Sequence, residues 1–285
     1  MSQRETSFRI HQIFYDAESK SLLDPRFIPL DNTENLRPDW FEFWVILNFL
    51  RTHRTEPNTW YGFLSPKFKM KTGMSADDVM GMLRNLGPRY GVALFTSHPH
   101  ELVLFQNPFI QGDIYHEGLL DISQEFFDVI NIKVDLRSLV TCLHTSVFSN
   151  YIIAKDSYWR QWKDLAERFF DYVEHGREKM ESGSNSLVPY DGRLIPMKTF
   201  IQERLSTVIL SQQKFKTFVP NSIRELSETP KIIQDFWGAE FSYRDQLVTL
   251  DRIKQRYIET RQRRYREDFQ KLSGLLLSRT RIYDK

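Results

Sequence analysis

The sequence has one cysteine, almost no net charge and no long apolar run, and each of these shortages excludes a class of protein. Cys142 is the only cysteine in 285 residues, which excludes an internal disulfide and a cysteine-cluster metal site. A reducing cytoplasm is therefore the expected location. No stretch of about 18 uninterrupted apolar residues is present to form a transmembrane helix, and the polar residues 1–7 lack the apolar core of a secretory signal. The net charge of +2 argues against a surface that attracts nucleic acid as a whole.

Aromatic residues are abundant by contrast, at 14% of the chain, with 22 Phe and 6 Trp. One interpretation is a core rich in phenylalanine. The other is that some of these side chains line a sugar or base site, because aromatic faces stack on both. The candidates for such a site are Trp40, Trp44, Trp60, Tyr61, Trp159 and Trp162.

Predicted strands and helices alternate along most of the chain. The predicted strands are residues 8–15, 59–64, 92–95, 101–105 and 147–154. The predicted helices are residues 38–51, 76–86, the later part of 113–131, 157–174 and 197–210. Residues 183–186 predict a loop directly before the last of these helices. This alternation predicts a mostly parallel sheet with helices on its faces.

The chain is predicted to divide at residue 215. Residues 1–215 form the expected α/β domain, and residues 216–285 form a linker followed by one long basic helix over about 241–277. Read alone, that helix suits nucleic acid or an anionic membrane surface. Its acidic residues Glu259, Glu267 and Asp268 favour a solvated or self-associating helix instead. Nucleic acid is disfavoured, and peripheral contact with the inner membrane and a homo-oligomer stay as alternatives.

Three blocks of residues occur in a recognisable order. The first contains Asp31, Asn32 and a helix with an acidic residue on its inner face, and continues through Tyr61-Gly62 to Lys67. The second is Asn150-Tyr151-Ile152-Ile153 with Tyr158 downstream, and the third is Phe200-Ile201-Gln202-Glu203-Arg204-Leu205. Their order and spacing, over roughly residues 8–212, resembles bacterial glycosyltransferase-like proteins of capsule and O-antigen polysaccharide loci. Those proteins commonly have His-Tyr-Arg-Arg-Tyr where this chain has Ser65-Pro66-Lys67-Phe68.

The resemblance implies a fold and an activity. The fold is a GT-A-like (Rossmann-like), mostly parallel sheet with a C-terminal helical extension. The activity is transfer of a sugar from a nucleotide-sugar donor to a glycan or lipid-linked glycan acceptor of the bacterial surface. Many GT-A enzymes hold a divalent metal with an Asp-any-Asp motif, which this chain lacks. Either Mn²⁺ or Mg²⁺ is bound atypically, or cationic side chains neutralise the diphosphate, and we assign no metal ligands.

The donor-binding candidates follow predicted strands or lie in the resembling blocks. Lys67 is the first choice for a diphosphate contact because it follows the end of a predicted buried strand. The alternative interpretation is that Lys67 is a surface lysine without a role in binding. Arg37 is a weaker candidate by the same logic. Asp31 and Asn32 suit a ribose or base, or else an Asx-turn that shapes the loop. The resemblance adds two further donor contacts, Tyr61 and Asn150.

The catalytic or acceptor-binding candidates are Glu203, Asp113 and His116. Glu203 takes this role from the resemblance; the alternative is a solvated glutamate or an ion pair with Arg204. Asp113 and His116 belong to a polar cluster at 111–118 with glycines near both ends, and the residue types suit sugar hydroxyls or a metal. Contact with sugar or acceptor is favoured over metal, since three ligands at this spacing are a weak metal signal.

A non-catalytic protein is the competing class. Such a protein would keep the glycosyltransferase-like fold without a metal motif and bind an assembly partner through its basic C-terminal helix. The two classes differ in one observable: in an enzyme, Lys67, Asn150 and Glu203 converge on one site.

Overall fold

A six-stranded sheet forms the centre of the protein. The computed structural model describes residues 6–96, 98–175, 183–213, 215–220 and 243–278. Within these ranges the strands are β1 (Ser7–Phe14), β2 (Ile28–Asp31), β3 (Thr59–Leu64), β4 (Tyr90–Leu94), β5 (Ile152–Lys155), β6 (Leu187–Tyr190), β7 (Arg193–Pro196) and β8 (Lys216–Phe218). Six of them pair in the order β2-β1-β3-β5-β4-β8, and β6 pairs with β7 as a separate hairpin.

Most neighbouring strands in this sheet are parallel. β1 pairs in parallel with β2 and β3, and β4 pairs in parallel with β8. Between them, β5 runs antiparallel to both β3 and β4. The predicted α/β class, a mostly parallel sheet flanked by helices, is confirmed, and the architecture is compatible with a Rossmann-like fold.

The helices connect and cover these strands. After α1 (Ala17–Ser21), a 3₁₀ turn (Pro38–Trp40) leads into α2 (Phe41–Thr52). The next helices are α3 (Phe68–Thr72), α4 (Ala76–Arg84), α5 (Pro99–Leu104), α6 (Pro108–Tyr115), α7 (Leu119–Val129) and α8 (Asp156–His175). They are followed by α9 (Met197–Gln202), α10 (Leu205–Gln212), α11 (Tyr243–Thr260) and α12 (Arg263–Leu277). A capping box formed by Ser75 and Asp78 begins α4.

Each face of the sheet carries its own apolar core. All six residues of β3 are buried, and because strand side chains alternate, Tyr61 and Phe63 enter one core while Trp60 and Leu64 enter the other. At Gly62 a Cβ atom would lie 2.8 Å from Cγ1 of Ile153. Glycine at this position therefore leaves the space that the Ile153 side chain of β5 occupies.

The abundant aromatic residues mainly build this interior. Trp40, Trp60, Tyr61, Trp159 and Trp162 are at most 2% exposed, and Trp44 packs against the core that contains Trp40. The prediction of an aromatic-rich core is confirmed at these positions.

The predicted strand at 101–105 is wrong, because this segment belongs to α5. Pro99 occupies the first turn of the helix and Glu101 follows it, a favourable arrangement for a helix N-terminus. A short apolar run does not distinguish a strand from a buried helical turn by periodicity. The predicted strand at 147–154 is also too long, since pairing begins only at Ile152.

Two predicted helices are each interrupted. The helix predicted at 197–210 is α9 and α10, with Glu203 and Arg204 between them. The single C-terminal helix is α11 and α12, which pack against each other, and Arg261 between them has a left-handed φ of 56°. Neither break contains a proline, so the sequence carries no signal that the helix would be interrupted there.

A hairpin that the sequence did not predict follows the turn at 183–186. Asp191 and Gly192 join β6 to β7 with φ values of 49° and 71°, the backbone that a tight two-residue hairpin turn requires. The hairpin therefore separates the predicted loop from α9.

Residues beyond the predicted boundary at 215 contact the elements that precede it. β8 lies beyond it and pairs with β4 in the central sheet. The pair α11–α12 packs on α5, where the buried Nζ of Lys254 donates to the carbonyl oxygens of Leu102 (2.8 Å) and Phe105 (2.6 Å). The predicted connection that starts at 218 continues from 221 outside the described residues.

Candidate functional site

The ends of several strands meet at one edge of the sheet, which we call the carboxyl edge. β1 and β3 both end there, and β5 begins there because it runs in the opposite direction. The chain around these ends supplies Ser65, after β3, and Tyr151, before β5, whose hydroxyl oxygens lie 2.9 Å apart. Open α/β sheets bind ligands outside the carboxyl ends of their strands.

Glu203 is the most unusual titratable group near this edge. It lies in the short break between α9 and α10 and is part-buried. Among the described residues, its carboxylate has no hydrogen-bond or ion-pair partner. Burial raises its pKa to about 7; Arg204 opposes this shift, Glu42 adds to it and Lys71 opposes it. A carboxyl group with this pKa can take up or release a proton near neutral pH.

The groups that interact with Glu203 come from separate elements. Tyr151 has a pKa of about 12, raised mainly by burial, with Glu42 and Glu203 contributing in the same direction. Tyr190, at the end of β6, has a pKa raised by burial and then by Glu203. Lys71 on α3 places its Nζ 5.9 Å from the centroid of the Tyr151 ring. We call these five residues, Glu42, Lys71, Tyr151, Tyr190 and Glu203, the Glu203 cluster.

A buried arginine supports the break that carries Glu203. Arg204 is 4% exposed and donates to the carbonyl oxygens of Pro108 (2.8 Å) and Phe200 (2.7 Å), and to Oε1 of Gln111 (2.7 Å). Gln111 in turn donates to Oε2 of Glu101 at 2.6 Å, a carboxyl group whose pKa is raised by burial. This chain of hydrogen bonds fixes the backbone next to Glu203 against α5 and α6.

Gly112 is required for this support, and the Gly112→Ala substitution tests it. A Cβ atom at this position would lie 2.8 Å from Nε of Arg204, so we expect a loss of about 1 to 3 kcal/mol in the free energy of unfolding. Gly81→Ala on α4 is the matched control: its Cβ meets nothing within 4 Å, and helix propensity predicts a gain of about 0.5 to 1 kcal/mol. Urea denaturation of both variants measures the difference. Equal effects would contradict the packing argument.

His116 lies on the Tyr190 side of the cluster, whereas Asp113 has a structural role. The His116 ring is stacked on Phe200 with centroids 3.6 Å apart and lies 5.9 Å from Tyr190. Burial, and then Arg204, lowers the pKa of His116 to about 4, so the ring is neutral. Oδ1 of Asp113 accepts hydrogen bonds from the N–H groups of Gly118 (3.1 Å) and Leu120 (3.0 Å) and so caps α7. The cluster predicted at 111–118 is thus the end of α6 and a turn.

Two predicted donor contacts, Lys67 and Asn150, also lie at the carboxyl edge. Lys67 is the exposed residue that precedes α3, and its ammonium group has no partner among the described residues. Asn150 directly precedes Tyr151. Lys71, which the sequence reasoning missed, lies one helical turn beyond Lys67 and interacts with Glu203. A helix prediction over residues 68–72 would have indicated it, since side chains four residues apart share a helix face.

Asp31 and Asn32 lie at the end of the edge strand β2. Oδ1 of Asp31 accepts from both the N–H and the hydroxyl of Thr33 at 2.8 Å, which is the Asx-turn that the sequence left open. Both residues line a surface groove of about 400 Å³ together with Trp44.

The structure places Arg37 and Tyr61 outside the Glu203 cluster. Arg37 donates to Asp39 (3.0 Å) and Glu174 (2.8 Å), so its charge is balanced within an ion-pair network. The Tyr61 hydroxyl accepts from the N–H of Glu56 at 2.9 Å. Glu56 precedes β3, so this hydroxyl faces the edge of the sheet opposite to Glu203.

Comparisons with known proteins found no relative of this chain. No protein-family model, no curated protein and no solved structure matches the chain. Within the described ranges, no helix is both long and apolar enough to cross a bilayer. In the same part of the chain, no three or more His, Cys, Asp or Glu side chains are grouped so that they could hold a metal ion.

Proposed function

We propose that the protein is a glycosyltransferase of GT-A type that moves a sugar from a nucleotide-sugar donor to a bacterial surface polysaccharide such as a capsule or O-antigen. One observation carries the proposal: Glu203, a part-buried carboxyl group without a partner among the described residues, has a pKa of about 7 and interacts with groups at the carboxyl edge of the sheet. The resemblance in sequence and the α/β class of the fold support it.

In this proposal Glu203 is the proton acceptor. The oxygen of an acceptor hydroxyl attacks the anomeric carbon of the donor sugar, and the bond from that carbon to the diphosphate oxygen breaks. The hydroxyl proton passes to the Glu203 carboxylate, and the electron pair of the broken bond leaves with the nucleoside diphosphate. Burial of Glu203 favours its protonated form, which suits a group that must accept this proton.

The departing diphosphate requires positive charge. Lys71 lies beside Glu203 and Tyr151, and Lys67 is one turn away, so the two ammonium groups are the proposed diphosphate contacts. Asn150 and the residue pair Asp31–Asn32 are the proposed contacts to the remainder of the donor. His116, stacked on Phe200 beside Tyr190, faces the proposed acceptor.

The exposed arginines of α11 and α12 suit the partners that such a reaction requires. Arg252, Arg256 and Arg264 are exposed, and anionic lipid attracts such a surface. We therefore propose a cytoplasmic enzyme with peripheral contact to the inner membrane, where a lipid-linked acceptor is presented; α11 and α12 are also the proposed surface for self-association.

Thermal unfolding in the presence of nucleotides tests donor binding. A ligand that binds only the folded protein raises its melting temperature, and a hundredfold excess over Kd is expected to give about 5 °C. We expect this shift for one nucleoside diphosphate and its sugar conjugate, with and without Mn²⁺ as parallel arms. Lys71→Ala should abolish most of the shift, whereas Lys133→Ala should retain it, because Lys133 is an exposed lysine beyond α7.

The absence of a shift in melting temperature would count against the proposed function. No shift with any nucleotide or nucleotide sugar at millimolar concentration would favour the non-catalytic alternative, a glycosyltransferase-like protein that binds a partner through the exposed arginines of α11 and α12. A shift that Lys71→Ala leaves intact would support a donor site elsewhere.

A further inference from the structure

A basic groove lies at the edge of the sheet opposite to the Glu203 cluster. It has a volume of about 400 Å³ and is formed by the end of α2, the turn after it and the first turns of α8. α8 directly follows β5, which begins at the carboxyl edge and runs away from it. The six residues of β3 span about 20 Å between the two edges, so the groove is separate from the proposed transfer site.

Four cationic side chains line this groove. They are Arg51, Arg54, Arg160 and Lys163, and the buried ring of Trp159 lies beneath them. A groove whose walls carry one sign of charge concentrates ions of the opposite sign.

The carboxylates around the groove balance only half of this charge. Glu167 is shared by Arg51 (3.3 Å) and Lys163 (3.9 Å). Asp156 pairs with Arg160 at 3.1 Å and also accepts from the hydroxyl of Thr55. Two carboxylates therefore face four cations.

Arg54 is the most available of the four. Its guanidinium has no hydrogen bond or ion pair with any described residue, and its side chain is exposed at the groove. Arg160 is 71% exposed despite its ion pair. A guanidinium offers paired N–H donors that match phosphate oxygens in both charge and geometry. Two exposed guanidinium groups beside a lysine thus suit an anion with several oxygens and more than one negative charge.

We propose that this groove is a second binding site, which takes the diphosphate group of a small phosphorylated molecule. Arg54 and Arg160 contact the phosphate oxygens, Lys163 adds a point charge, and Arg51, held by Glu167, completes the wall. This inference does not rest on the proposed sugar transfer, because it uses none of the residues of the Glu203 cluster.

Isothermal titration calorimetry with inorganic pyrophosphate tests the proposal on the full-length protein. Arg54→Gln and Lys163→Gln are each expected to raise the Kd about fivefold or more, the loss expected for one charged hydrogen bond. Arg89→Gln is the matched control, because Arg89 is an exposed arginine outside the groove, without a side-chain partner among the described residues. Lys71→Ala removes a proposed diphosphate contact at the carboxyl edge, so it separates the two sites. Binding of pyrophosphate at the groove should persist in Lys71→Ala and should weaken when Arg54→Gln is added.

Three results would overturn the proposal. The first is the absence of pyrophosphate binding to the wild-type protein. The second is a loss in Arg54→Gln no larger than that in Arg89→Gln, which would indicate attraction to overall charge. The third is complete loss of binding in Lys71→Ala, which would assign the anion to the carboxyl edge. Because Arg54 has no partner among the described residues, Arg54→Gln should keep the wild-type melting temperature, so folding does not confound the comparison.

Discussion

Glu203→Gln is expected to lower the rate of sugar transfer about a thousandfold while making the protein more stable at pH 8. The amide keeps the shape of the side chain but cannot accept the proton of the acceptor hydroxyl, and a positioned general base contributes about 10²- to 10⁴-fold. Because the cluster still contains Lys71 and Tyr151, donor binding should remain, so the loss should appear in kcat with little change in the donor KM.

The gain in stability follows from the raised pKa of Glu203. A carboxyl group whose pKa is about 7 when folded, and near 4.3 when unfolded, favours the folded state fully below pH 4. That contribution is lost as the pH rises through 7. At pH 8 glutamine removes a cost of about 3 to 4 kcal/mol, whereas at pH 4 the two proteins should be almost equally stable.

Denaturation at both pH values and initial-rate kinetics measure the two effects. Glu18→Gln on α1 is the matched control, since Glu18 is exposed and should change neither rate nor stability. Transfer within threefold of wild type would contradict the assignment of Glu203 as the base. Unchanged stability at pH 8 would contradict its raised pKa.

The second large effect is a steep loss of stability in mild acid. Burial is the first cause of the lowered pKa of His11 (about 4), His100 (about 3) and His116 (about 4). Unfolded histidine has a pKa near 6.5, so these three favour the folded state above pH 6.5, and their contribution is lost as the pH falls towards 4. From pH 6.5 to 4.5 the three together lower the free energy of unfolding by about 6.5 kcal/mol.

Buried carboxyl groups oppose this loss. Glu203 regains about 2 kcal/mol as the pH falls over the same range, and the raised pKa of Glu101 acts in the same direction. The net loss of about 4 kcal/mol approaches the whole stability of a marginally stable domain. We therefore expect the urea midpoint to fall sharply below pH 6.

His11→Phe isolates one histidine. Both ring nitrogens of His11 are buried without a partner among the described residues, and the ring packs against Phe49 (4.7 Å) and Phe63 (5.5 Å). Phenylalanine should fit this packing, keep the stability at pH 7.5 and remove about 2 kcal/mol, or about half, of the net loss between pH 6.5 and 4.5. His144→Phe is the control, since His144 is exposed. An unchanged pH dependence in His11→Phe would contradict the account.

The central strands of the sheet were predictable from sequence because their residues favour a strand locally and are also apolar enough to be buried on both faces of the sheet. β3 is apolar throughout and buried on both faces, so its residues predict a central strand whichever helices cover it. α5 was not predictable in the same way. Its apolar run is short enough to suit either structure, and its helical form is stabilised by Lys254, which binds its carbonyl oxygens from 149 residues or more further along the chain.

The candidate site was predictable only in part, for a related reason. Glu203, Lys67 and Asn150 were identified, and the sheet brings their segments to one edge. Lys71 and Tyr190 join them through a short helix and a hairpin that the sequence did not reveal. Conversely, Asp113 has a residue type suited to chemistry, yet its carboxylate caps α7. Residue type indicates what a side chain can do, and only tertiary structure decides which groups meet.

Release of nucleoside diphosphate from a panel of nucleotide sugars tests whether the protein transfers sugar with Glu203 as the base. The purified protein is incubated with each donor, with and without Mn²⁺ and with a lipid-linked glycan fraction as acceptor, and the free diphosphate is measured. We expect release from one donor class by the wild-type protein and none above background by Glu203→Gln, although that variant still binds the donor. No release from any donor, or equal release by Glu203→Gln, would contradict this expectation.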